Sequence, residues 1–201
     1  DKGDDDCMVL YGSILHKGEG IPINYEEAIK YYKMAIEKDN DDAMDNYAWM
    51  LEHGEGVPVN YEEAEKYYKM AIEKGNVYAI NNYAIMLNQG KGIERNSSKA
   101  LEMYKIAAEK GIPASMYNYA NMLEESDNII DQKEAVKYFK LAAIKGDVPS
   151  MVKFGEKLLF GNGVAFNKQE AARFFKMAAD KGDIEGMKYY ATMCLKGEGI
   201  E

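Results

Sequence analysis

Gly54-Glu-Gly-Val-Pro-Val-Asn-Tyr-Glu-Glu-Ala-Glu-Lys-Tyr-Tyr-Lys-Met-Ala-Ile-Glu-Lys-Gly75 recurs thirty-six residues earlier, beginning at Gly18-Glu-Gly-Ile-Pro-Ile-Asn-Tyr-Glu-Glu-Ala. Weaker copies open at Gly90 and Gly161. A repeat of this period is the sequence mark of a solenoid, in which each unit buries its apolar face only by stacking on a neighbour.

Two kinds of segment alternate outward from this stretch. The first, near 41–53, carries Met44, Tyr47, Ala48 and Leu51, with counterparts such as Ile80, Tyr83, Ala84 and Leu87 one period on. These positions fall at i, i+3, i+4 and i+7, one stripe of an α-helix. The small residue beside a large one lets two helices approach closely. Cys194 takes the place of Leu51 in the last copy, which predicts a buried, inert thiol.

The second segment follows a Gly-x-Gly turn and repeats Ala64, Tyr68 and Ala71, matched by Ala28, Tyr32 and Ala35 and by Ala171, Phe175 and Ala178. Asn24 with Glu27, Asn60 with Glu63, Asp131 with Glu134 and Asn167 with Glu170 predict N-caps for this helix. Lys74 and its counterparts close it against the negative end of the dipole, and Gly75, Gly111, Gly146 and Gly182 stop it, with Asp39 as the exception.

This helix pair resembles the Sel1-like repeat family, a relative of the tetratricopeptide repeat. The resemblance is carried by Ala79 through Gly111, with Gly90-Lys-Gly92-Ile93, Lys99-Ala100 and Met103-Tyr104-Lys-Ile-Ala107-Ala108. It implies an all-α fold: a right-handed α/α superhelical solenoid of about five and a half 36-residue helix pairs. The expected repeats are 5–40, 41–76, 77–112, 113–147 and 148–183, with a half repeat at 184–201. Asp1-Lys2-Gly3-Asp4 aligns with Asp180–Asp183 and reads as the end of an earlier helix, so the array is expected to be cut from a longer chain. Residues 124–130 lack both turn glycines and predict a differently shaped loop.

Composition removes several classes of function. A formal charge of −9 opposes non-specific nucleic-acid binding. No apolar run approaches a membrane span, and the start does not resemble a signal peptide, so a cytoplasmic location is expected, with the endoplasmic reticulum lumen of a longer parent as the alternative. Cys7 and Cys194 lie at opposite ends of the array and predict no disulfide. The Gly-x-Gly turns recur in register without a preceding strand, so they read as scaffold rather than phosphate loops. His16 and His53 lack the spacing and companions of a metal site, and no nucleophile–base arrangement is legible. No cofactor and no enzymatic activity are expected.

What remains is the face presented by the first helices, which in repeats of this type lines the concave side. Asp45, Trp49 and Glu52 lie off the core stripe of the second repeat. Tyr78, Asn81, Ile85, Asn88 and Gln89 follow in the third, then Tyr117, Asn121 and Glu124 in the fourth. His16 and Lys17 belong to the same row in the first repeat. Trp49 is the sole tryptophan, a residue type enriched at binding hot spots, and the excess of acids steers a basic segment in. The resemblance implies a protein–protein interaction module, scaffold or adaptor that engages a peptide or partner domain. A structural spacer, or an array that associates end to end, is the alternative reading. A hydrolase rests only on reports within the family and finds no support in these residues.

Overall fold

The computed structural model describes residues 2–126 and 128–199, with side chains from Asp4 onward. Every regular element among them is helical. In chain order these are α1 (Lys2–Lys17), α2 (Tyr25–Ile36), α3 (Asp41–His53), α4 (Tyr61–Glu73), α5 (Val77–Gln89) and α6 (Ser97–Glu109). Then come α7 (Pro113–Glu124), α8 (Ile129–Ile144), α9 (Val148–Phe160), α10 (Lys168–Asp180) and α11 (Ile184–Lys196). The chain forms two compact units, Asp1–Met103 and Tyr104–Glu201.

In the first unit α1 packs on α2 and α3 on α4, while α2 meets α3 and α4 meets α5. The odd-numbered helices also touch directly, α1 with α3 and α3 with α5. The second unit repeats this scheme with α7 on α8, α8 on α9, α9 on α10 and α10 on α11. The expected stripes form the cores: Tyr32, Tyr68, Phe139 and Phe175 are fully buried, as are Ala28, Ala64, Ala142 and Ala178. The small position in the first helix is used for close approach. A Cβ on Gly155 would lie 2.7 Å from the Phe175 ring, and one on Gly12 2.9 Å from the Tyr32 ring.

Asn24, Asn60 and Asn167 cap α2, α4 and α10 by accepting from the backbone N–H of Glu27, Glu63 and Glu170. Gly54 ends α3 in the left-handed region at φ 72°. The second glycine of the turn allows a close approach between repeats. A Cβ on Gly92 would lie 2.0 Å from Tyr61 Cβ, so the loop after α5 presses on the start of α4. Asparagine caps also tie repeats together. Asn40 accepts from Ala43 N–H while its amide donates to Asp5 (3.0 Å) and Asp6 (3.1 Å). Asn76 likewise accepts from Ala79 N–H and donates to Asp41 (3.1 Å) and Asp42 (2.8 Å).

Three expectations need correction. Helix α8 starts at Ile129 with Asn128 as its cap, because Asn128 accepts from Ile130 N–H; Asp131 instead accepts from Ser126 Oγ at 2.7 Å. Part of the unusual loop, residue 127, lies outside the described residues. Lys2–Asp4 belong to the first turn of α1, where Asp4 and Asp5 favour the positive end of its dipole, rather than to an earlier helix. Cys194 is exposed, while its neighbour Met193 is buried. The face of α9 that holds Leu158 is covered by α10, and among the described residues nothing covers the same face of α11 in that way.

Candidate functional site

With α1, α3 and α5 side by side, residues of these helices that point away from the even-numbered helices form one face of the first unit. Asp45 and Trp49 follow one another there at helical spacing. A pocket of about 430 Å³ opens on this face, lined by His16, Lys17, Tyr25, Asp45, Asn46, Trp49, Glu55 and Asn82.

Trp49 is half-buried, and His53 lies parallel to its indole at 4.0 Å and 19°. The His53 ring is fixed by a bond of 2.9 Å between Nδ1 and the Trp49 carbonyl. His16 approaches the same indole at 5.4 Å and pairs through Nε2 with Glu55 Oε2 at 2.6 Å. Tyr25, at the start of α2, lies 5.8 Å from the His16 ring and completes an aromatic wall.

Asp45 is the acidic counterpart of that wall. It accepts from Asn82 Nδ2 at 2.9 Å, and burial, with Asp42 and Asp41 nearby, pushes its carboxyl up to about 7 against the effect of that hydrogen bond. Among the described residues no lysine, arginine or histidine pairs with it, whereas Glu55 has His16, Glu65 has Lys69 and Glu52 has Lys91.

Glu52 faces inward rather than into the pocket. Its side chain is buried, accepts from Tyr68 OH at 2.9 Å and from Lys91 Nζ at 3.0 Å, and ties the second repeat to the turn of the third. Burial, followed by the charge of Glu52, pushes the Tyr68 phenol up, so it remains a donor. Asn81 is also buried, with its amide 3.4 Å from Asn82 Oδ1. Ile85 and Asn88 are half-buried, and Tyr78 and Gln89 are exposed.

In the second unit Tyr117 and Asn121 are half-buried, and the Tyr117 ring lies 6.0 Å from Phe139. Glu124 pairs with Lys157 and, at 3.5 Å, with Lys153 of α9. Burial opposes its ionisation, but the hydrogen bond and charge of Lys157, aided by Lys153, outweigh it and hold the carboxyl below its ordinary value. Glu124 and Lys157 line a polar pocket of about 380 Å³ beside Gly161–Gly163.

The structure thus brings Asp45 and Trp49 together and adds Tyr25, Asn46, Glu55 and Asn82, which periodicity alone does not single out. Tyr25 and Glu55 sit in segments that the repeat marks as scaffold. A signal existed: His16 and Glu55 become Glu52 and Lys91 one period later, an exchange of the acid between the two positions around a retained tyrosine. Among the described residues no cluster of His, Cys, Asp and Glu is arranged to hold a metal, and no helix is long and apolar enough to cross a membrane.

Comparison with known proteins gives a consistent fold. A protective antigen of uropathogenic Escherichia coli superposes with a TM-score of 0.87 at 24% identity over 100% of the chain, which spans 43% of that antigen's length. A Sel1 repeat protein from Oxalobacter formigenes gives 0.85 at 26% identity, covering 94% of the chain and 78% of the relative. An immunity protein of Pseudomonas aeruginosa gives 0.68 at 19% identity over 91% of the chain and 67% of its own. No curated protein sequence matches. The family model described as the Sel1 repeat matches residues 5–40, 41–76, 77–112, 113–147 and 150–183. With these matches spread along the helix pairs, the chain belongs to the Sel1 repeat family.

Proposed function

We propose that the chain is a non-enzymatic interaction module that engages a peptide or partner domain through the odd-numbered helices of its first unit, with Trp49 as the central contact. Sel1 repeats commonly serve as protein-interaction modules. The observation that carries the reading is the placement of the sole tryptophan in an open pocket between three repeats, where the repeat itself does not demand it. The equivalent position is Ser13 in the first repeat and Ile85 in the third, so stacking tolerates other side chains there. An excess of carboxylates over cations favours a partner segment of basic character. Tyr78 and Gln89 extend the same surface, and Tyr117, Asn121 and Glu124 are candidates for contacts on the second unit.

The test is cross-linking of the intact chain from a photoreactive group at Asn46, followed by identification of the captured segment. Capture that is lost in Trp49→Ala, with the far-UV circular dichroism unchanged, supports the reading. Capture that is indifferent to Trp49 overturns it.

A second reading, self-association, is favoured by one observation: α11 exposes Ile184, Met187 and Leu195, the last at 91%. Sedimentation that stays monomeric at high concentration, in both the parent and Leu195→Lys, removes it.

A further inference from the structure

We infer that the Trp49 pocket is a subsite for the guanidinium of a partner arginine, held between the aromatic wall and the Asp45 carboxylate. The inference rests on the proposed interaction face and names the group recognised there.

Four features of the pocket lead to it. Asp45 has one oxygen taken by Asn82 and no cation partner among the described residues, so an arriving cation supplies what the fold leaves out. Trp49 and Tyr25 provide aromatic surface, which attracts cations and accepts the flat, weakly hydrated guanidinium better than a compact ammonium. The Asn46 and Asn82 side chains place amide groups beside the carboxylate. The volume, about 430 Å³, exceeds what a single side chain fills, leaving room for its stem and for bridging water.

The other charged groups around Asp45 are accounted for. On its own helix, Asp41 and Asp42 bind Asn76 and reinforce the negative potential. Glu52, also on α3, is neutralised by Lys91, and Tyr68 of α4 donates to Glu52. From α1, Lys17 lines the pocket but lies 3.9 Å from Glu19, and His16 is engaged with Glu55 of the following turn.

Binding of a guanidinium requires Asp45 ionised, which couples binding to proton release. A carboxyl titrating at about 7 in the free chain makes the affinity fall about tenfold between pH 8 and pH 6. A surface carboxylate with an ordinary pKa gives no change over that range.

The sole tryptophan yields a single indole N–H signal, which makes the test direct. The ¹⁵N-labelled chain is titrated with N-acetyl-arginine amide, N-acetyl-lysine amide and N-acetyl-norleucine amide at pH 8 and pH 6. The expected result is a saturable shift of the Trp49 indole with the arginine probe, weaker with lysine and absent with norleucine. Asp45→Asn, which keeps the shape and the Asn82 bond, should weaken the arginine probe at least tenfold at pH 8 and abolish the pH slope. His16→Gln should keep that slope. An indole that does not respond, responds equally to norleucine, or binds arginine as well in Asp45→Asn overturns the inference. Partner capture that depends on Trp49 but is untouched by Asp45→Asn would sink this assignment alone and leave the interaction surface standing.

Discussion

Lys91→Glu should be among the most damaging single changes on the surface of the first unit, and a second substitution should repair it. Glu52 has a side chain only 3% exposed, held by Tyr68 OH and by Lys91 Nζ at 3.0 Å. Breaking a buried pair by removing one partner costs about 3–5 kcal/mol. Lys91 is itself 34% exposed, so solvent screening brings the expected loss for Lys91→Ala down to about 1–2 kcal/mol. Lys91→Glu adds a like charge; at 4 Å and an effective dielectric constant of 20 the repulsion is about 4 kcal/mol before the new side chain turns away. A net loss of about 3 kcal/mol follows once that relaxation is allowed for.

The first repeat solves the same problem with the partners exchanged: His16, Tyr32 and Glu55 occupy the positions of Glu52, Tyr68 and Lys91, and His16 pairs with Glu55 at 2.6 Å. Glu52→His combined with Lys91→Glu should therefore recover to within about 1 kcal/mol of the parent, giving a coupling energy of about 2–3 kcal/mol in the double-mutant cycle. Urea unfolding followed by Trp49 fluorescence reports on this region, because Trp49 lies one turn before Glu52 on α3. The reasoning fails if Lys91→Glu is tolerated within about 0.5 kcal/mol, or if the double variant is as unstable as the summed singles.

Three further outcomes are expected. The Asp45 carboxyl is raised to about 7 from an unfolded value near 4, so the folded chain binds more protons between these values and loses stability as pH rises from 4 to 7. Asp45→Asn should remove that slope and stabilise the chain by about 1–3 kcal/mol at pH 8, measured by urea midpoints across pH. Gly92→Ala meets both a positive φ of 66° and a Cβ position 2.0 Å from Tyr61 Cβ, so it should cost more than the ~1–2 kcal/mol of left-handed strain and lower the thermal midpoint accordingly. Asn76→Ala removes a buried cap of α5 together with both bonds to Asp41 and Asp42, with an expected loss of about 2 kcal/mol and faster amide exchange at Ala79.

The repeat in the sequence was enough to establish the helix pairs, the asparagine caps of α2, α4 and α10, and the stripes that form the cores. Tyr32, Tyr68 and Phe175 recur at fixed offsets because each must fill the same gap beside a small residue, and periodicity makes that demand visible. The same logic marked Asp45 and Trp49 as lying off the stripe, and both line the pocket.

Periodicity did not show where an off-stripe side chain goes once a neighbouring repeat stands beside it. Glu52 and Asp45 share a face of one helix, yet Lys91 from the next turn draws Glu52 into a buried pair while Asp45 is left beside an amide. Tyr25 and Glu55 looked like scaffold and prove to line the pocket, because the turn of one repeat leans over the first helices of its neighbours. Cys194 and Asp131 diverged from expectation for related reasons: burial depends on what packs alongside, and a cap on which side chain first reaches a free N–H. Local chemistry, written every thirty-six residues, determined the repeat; the approach of side chains from different repeats, such as His16 and Glu55, 39 residues apart in the chain, decided the pocket.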